Sequence, residues 1–409
     1  MVRRPGGGRA PRGTGRIAIF SKKTLNPCGE GRFFRCGTRF AHSCERWTNS
    51  NDAPRTQDNP IPTSFIRFAT SRPIPVWLLL LLASVAGGLP RVHAITIDWV
   101  TVGDPGNAAD DTTYGAVADE FRIMKFEFTN SQYTEFLNAI DPDGSNPYSV
   151  YNPSMSSDAR AGILFETDST PGGKYVVKTN MGDKPVNFVS WFDAARVSNW
   201  LMNGATGTSS TETGAYTLVG GQTSGTAPAV NPGATFYIPT ENQWYKAAYY
   251  VGNGTNAGYW DFATQNDTTP TPVTSGSTGI GSAGSTGNFA NYNQTADWNA
   301  QDGNVTTVGT NGGASAYAAF DMSGNVFEWN DLDGTAGSSR GLRGGSWDDM
   351  GSLLLSSSDR SAPDPSNEDR IIGFRLASPV PVPEPSTWVM AAAGLACGGW
   401  HMVRRRRAR

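Results

Sequence analysis

Asp348 and Asp349 follow Trp347, and Asp359 and Arg360 lie ten positions beyond. Carboxylates beside a guanidinium can hold a polar ligand or act as a general base, which makes this set the candidate for carboxylate-based hydrolysis. In an acidic body, neighbouring aspartates read first as solvated surface. Other chemistry is closed off by composition: no cysteine stands between Cys44 and Cys397, and no histidine between His93 and His401. Zinc, haem and non-haem iron centres recruit thiolate or imidazole, and a serine triad needs imidazole to move its proton. Soft copper(I) asks for thiolate, so no copper is expected. Calcium is the cation this composition suits, because Asp- and Gly-rich turns offer carboxylate and carbonyl oxygens.

Three strand-helix units are expected to position these groups. Residues 121–128 alternate Phe126 and Phe128 with Lys125 and Glu127, which predicts a strand; Asn130 is expected to cap a helix carrying Tyr133, Phe136, Leu137 and Ile140 on one face and stopped at Asp141-Pro142. In the second unit Ser190 is the N-cap, Trp191, Ala194, Val197 and Leu201 form the inner face, and Gly204 closes the helix. The third runs from a strand ending at Ile238 into a helix with Thr240 and Gln243 in capping-box relation. Gly, Thr, Ser and Asn crowd 204–233 and 251–315, predicting long loops; their aromatics, Tyr216, Trp260, Phe262, Phe289, Tyr292 and Trp298, imply that the loops are ordered. Trp260 and Trp298 are the aromatics expected to carry any glycan binding.

Charge is segregated along the 409 residues. Lys and Arg outnumber Asp and Glu 15 to 4 over 1–94 and 5 to 1 over 380–409, leaving 13 basic against 31 acidic residues and a net charge of −18 in the body. That surface repels phosphate backbones, so no nucleic acid partner is expected. The apolar run Val76–Gly88, preceded by Arg67 and Arg72 and followed by Val92-His93-Ala94, reads as a secretory signal peptide (71–94) cleaved after Ala94. Residues 1–70, basic and rich in Gly and Pro, read as disordered or untranslated, with translation expected to begin downstream. The body is 95–379 and a tail occupies 380–409, where Val382–Thr387 (VPEPST), an apolar stretch Trp388–Val403 and the cluster Arg404–Arg407 form a marginal membrane anchor with its basic end cytoplasmic.

The tail resembles the PEP-CTERM sorting signal of Gram-negative bacteria. That resemblance implies processing by an exosortase-type enzyme, transient anchoring in the membrane, and a cell-surface or extracellular destination. The body resembles the formylglycine-generating enzymes, or sulfatase-modifying factors, through blocks in family order: EFTNSQY (Glu127–Tyr133), VSWFDA (Val189–Ala194), PTENQW (Pro239–Trp244), FDMSGNVFEWN (Phe320–Asn330), RGLRGGSW (Arg340–Trp347) and GFRLA (Gly373–Ala377). It implies a single α+β, C-type-lectin-like domain with many long ordered loops. The family's oxidases hold copper on two cysteines and convert a sulfatase cysteine to formylglycine with oxygen; the matching positions here are Asp349 and Leu354. The resemblance also implies calcium sites. One would take side-chain oxygens of Asp321 and Glu328 and carbonyls of Gly324 and Val326; the other maps onto Asn291, Tyr292, Asp302 and Asn304. Arg343-Gly344-Gly345-Ser346 is expected as a tight core turn, and Arg375 as a buried ion-pair partner.

The function these readings favour is a secreted, surface-sorted domain without the copper centre, binding a glycan, an exopolysaccharide component or another surface protein, or serving structurally. The alternative is an enzyme, either an oxidase using other ligands or the carboxylate hydrolase.

Overall fold

The structure, a computed structural model, describes residues 95–381. The readings of an untranslated N-terminal segment, a signal peptide and a sorting tail lie outside the described residues.

Regular elements are short and separated by long loops, giving the expected α+β architecture. Strand β1 (Trp99–Val102) pairs antiparallel with β2 (Phe121–Met124), whose other edge takes the last strand, β10 (Ala377–Pro379). Val100 and Ala377 both stand opposite Ile123, so the two ends of the described chain share one sheet. The predicted strand through Phe128 stops at Met124; beyond it the chain turns, and Phe126 stacks on Phe320 at 5.6 Å.

Helix α1 (Asn130–Ile140) follows. Its cap is Thr129 rather than Asn130: the Thr129 hydroxyl accepts from the Gln132 backbone N–H while the Gln132 side chain accepts from the Thr129 N–H. Asn130 instead turns its amide inward and donates to the carbonyls of Met181, Lys184 and Pro185. The hairpin of β3 (Ile163–Phe165) and β4 (Tyr175–Val177) packs on α1 through β4, and the single-turn α2 (Ser154–Ser157) packs against β3.

Helix α3 (Trp191–Met202) is capped by Ser190 as predicted, with Asp193 completing a capping box, and Gly204 takes a left-handed φ of 95° just past its end. Every residue from Trp191 to Leu201 is buried, so its polar members need internal partners. Arg196 pairs with Glu212 at 2.8 Å, and Asn199 donates to Thr211 O and accepts from Tyr216 N. Helix α4 (Glu241–Tyr249) carries the predicted Thr240–Gln243 capping box. The strand expected to end at Ile238 is reduced to a single bridge, Tyr237 to Ala377.

Two-residue strands β5 (Thr271–Pro272) and β6 (Phe289–Ala290) pair in parallel within the loop region. A second sheet has the fully buried β7 (Phe327–Asn330) at its centre, with β8 (Gly341–Arg343) antiparallel and β9 (Ile372–Gly373) parallel on either side. The main core joins Phe136 of α1, Trp191 and Trp200 of α3, Trp329 of β7 and Phe374; a second packs Trp244, Tyr245 and Tyr249 of α4 against Phe121 and Ile123. No helix among the described residues is long and apolar enough to cross a membrane.

Candidate functional site

The segment between β8 and the loop 349–355 forms the site's floor. Gly344 and Gly345 adopt left-handed φ values of 97° and 74°, conformations that glycine accepts without penalty. A Cβ on Gly345 would lie 3.1 Å from Leu354 O, so the chain folds back on itself here. The turn is laced to its neighbours by Gly324 N–H to Gly344 O (2.7 Å), Trp347 N–H to Asn325 O (2.9 Å) and Gln294 N–H to Trp347 O (3.0 Å). Arg343 is buried and donates to Glu241 and to the carbonyls of Ser357 and Asp359, the expected structural role for this turn.

At the first position matching a family cysteine, Asp349 folds back: its Oδ2 accepts from the Ser346 N–H at 2.6 Å and the Ser346 hydroxyl at 3.1 Å. Burial, with the charges of Asp348 and Asp359 adding to it, lifts its carboxyl to about 6 against the opposing Ser346 hydrogen bonds. At the second position Leu354 lies in a short 3-10 turn (Ser352–Leu355) anchored by buried Leu355, whose carbonyl accepts from the Tyr249 hydroxyl. Leu354 is 37% exposed, and its neighbours Met350 and Leu353 are 75% and 81% exposed. A carboxylate engaged in a turn and an alkyl group supply no thiolate, so these two positions do not fit a copper(I) centre.

The four residues offered as a carboxylate cluster are divided. Asp348 accepts from Gln294 and Arg370 and lines an open polar hollow of about 530 Å³ with Asp158, Asp369, Arg370, Ser154 and Ser157. Arg360 lines a different hollow of about 360 Å³, where it is bound bidentately to Glu241 at 2.8 Å.

The residues expected to hold calcium behave in two ways. In the 321–328 block, Asp321, Gly324 and Asn325 take left-handed φ values of 57°, 85° and 64°. Only glycine fits at 324, where a Cβ would meet Asn291 O at 2.3 Å. Both oxygens of Asp321 are engaged, by the Gly309 N–H and the Asn311 amide. Glu328 is wholly buried and bound bidentately by Arg375, with 2.6 Å to each oxygen, and Oε2 also accepts from the Trp244 indole N–H at 2.8 Å. Arg375 thus makes its expected ion pair, and the side-chain oxygens of this block do not fit a cation as they stand.

At the other set, Asn291 and Asn304 are fully buried and adjacent, the Asn291 amide donating to Asn304 O (2.9 Å), Thr306 Oγ1 (3.0 Å) and Asn325 Oδ1 (3.1 Å). Oδ1 of Asn291 is buried without a partner and is the one side-chain oxygen here that fits an oxygen-seeking cation, whereas Asn304 leaves its Nδ2 donor unpartnered and gives its Oδ1 to the Val305 N–H. Tyr292 is buried with its hydroxyl on Pro270 O, and its carbonyl accepts from Thr295. Asp302 is not drawn in: it is exposed, and its carbonyl accepts from Arg160.

Sequence reasoning missed the hub of this network. Asn325 donates to buried Glu127 Oε1 (3.0 Å) and accepts from Asn291 and Thr306. Glu127 Oε2 has no partner; burial first, then the charge of Asp321, raises its carboxyl well above the ordinary range. Its place in the EFTN block was the available signal. The glycan-contact expectation for Trp298 is also corrected, since this indole is 6% exposed, packs with Met181, Val305, Val326 and Trp347, and donates to Val305 O. Trp260 is half-buried, and no aromatic is among the exposed large apolar side chains of the described residues.

No curated protein matches the chain. Among solved structures it is similar to CarF (20% identity, 70% of this chain, 100% of that one, TM-score 0.42). It is also similar to Treponema denticola variable protein 1 (17%, 71%, 97%, TM-score 0.41) and to PvdO from Pseudomonas aeruginosa (17%, 69%, 92%, TM-score 0.35). The PEP-CTERM protein-sorting motif matches residues 381–407, the mark of export and surface sorting. The sulfatase-modifying factor enzyme 1-like domain matches residues 100–380, and the chain, a single α+β domain of this type ahead of its sorting motif, therefore belongs to that family.

Proposed function

We propose that this protein is an exported, surface-sorted sulfatase-modifying-factor-like domain that has no copper oxidase centre and serves as a binding or structural module. One observation carries the reading: the positions of the family's two cysteines hold Asp349, spent on capping the Ser346 turn, and Leu354. Calcium is its structural cation, taken at the Asn291–Asn304 loop, where Asn291 Oδ1 lacks a partner. Its ligand is a glycan, an exopolysaccharide component or another surface protein. The hollow beside Asp348 suits a polyhydroxylated ligand, since its carboxylates, serine hydroxyls and Arg370 can accept from and donate to hydroxyl groups. An exosortase-type enzyme reads the tail, which holds the protein at the membrane until processing.

Incubating the mature protein with copper(I), oxygen and a cysteine-containing sulfatase peptide tests this directly. The peptide is expected to come back with its thiol intact, and catalytic conversion of the cysteine to an aldehyde would refute the proposal.

A further inference from the structure

The Asp321–Glu328 block carries a cation of its own. Arg375 reaches it from the segment between β9 and β10, grips both oxygens of Glu328, and spends its remaining donors on the carbonyls of Phe320, Met124 and Lys125. Arg375 and Glu328 are both 0% exposed. Asp321 is likewise turned away from metal coordination by the Gly309 N–H and the Asn311 amide. A divalent ion among these atoms would face a guanidinium at contact distance in a site closed to bulk solvent, where screening of the repulsion is weak. The carbonyls of Gly324 and Val326 alone fall well short of the roughly six to eight oxygens calcium takes. At the Asn291–Asn304 loop the nearby guanidinium, Arg160, is spent on the carbonyls of Asp302 and Gly303 and grips neither asparagine side chain; Asn291 donates from its nitrogen to three acceptors and leaves its oxygen free and buried.

We infer that Arg375 stands in place of a metal ion at the Asp321–Glu328 block, so that this part of the domain is cross-linked without metal and the chain binds at most one calcium. The count of one rests on the calcium reading proposed above; the metal-free block does not.

Bound calcium per mature chain, measured by equilibrium dialysis and isothermal titration, separates the two. Asp321→Asn and Asn291→Asp are titrated beside the parent protein. One ion per chain is expected, its affinity unchanged by Asp321→Asn and raised on the order of tenfold by the added ligand charge of Asn291→Asp. No bound calcium would defeat the proposed cofactor and leave the metal-free block standing. Two ions, or one whose affinity falls at least tenfold in Asp321→Asn, would overturn the inference. Where Asp321→Asn does not fold, Asn291→Asp places the single ion: an affinity raised about tenfold supports the inference, and an unchanged one overturns it.

Discussion

Asp349 shows how much one residue can carry. A carboxylate stands where the family's oxidases have a thiolate, and the sequence revealed this; its hydrogen bonds to Ser346 were not legible, because an aspartate three positions from a serine can as easily face solvent. Its raised value of about 6 fixes a sign for pH dependence. A carboxyl that holds its proton more tightly folded than unfolded favours the fold below its ordinary value of 3.8, and that contribution is lost as pH rises through about 6. After allowance for partial exposure the effect is about 1–2 kcal/mol. Asp349→Asn should therefore raise the urea midpoint relative to the parent at pH 7.5 and leave the difference near zero at pH 3.5. A difference that does not change with pH would mean the carboxyl is solvated.

Among the elements, helices were the readable part. Ser190 caps its helix and Thr240 closes its box with Gln243 where the sequence placed them, because a cap is a contact within four residues. At α1 the reading slipped by one residue, since Thr129 and Asn130 are both good caps and only the long-range bonds of Asn130 to Met181, Lys184 and Pro185 decide between them. Strands were read less well: residues 125–128 and 234–238 alternate suitably yet lack a full partner strand, and partners are set by the chain far away. The pair of Glu328 on β7 with Arg375 after β9 is the strongest of these long-range ties, and it also binds the turn after β2 through Met124 and Lys125 carbonyls. Arg375→Met, by stranding Glu328 in the core, should cost about 3–5 kcal/mol. Glu328→Gln in the same chain should recover part of it, the sign of direct coupling. A single-variant loss below about 1 kcal/mol in urea unfolding would show that the pair does not hold these elements together.

For the whole molecule, the order of six short blocks made the family legible, and composition made the absence of cysteine and histidine from the body legible. What sequence could not show was which acidic groups converge. Asp348 and Arg360 sit twelve positions apart yet line separate hollows, while Glu127 and Asn325, almost two hundred positions apart, share a buried hydrogen bond. The body's surplus of 31 acidic over 13 basic residues bears on its partners rather than on its fold. The body offers no thiolate between Cys44 and Cys397, and copper(I) is the ion that tests the proposed absence of an oxidase centre. Copper retained by the mature protein after dialysis against a competing chelator measures this most directly: the parent should retain none, whereas Asp349→Cys with Leu354→Cys should gain copper. Stoichiometric copper held by the parent protein would contradict the account.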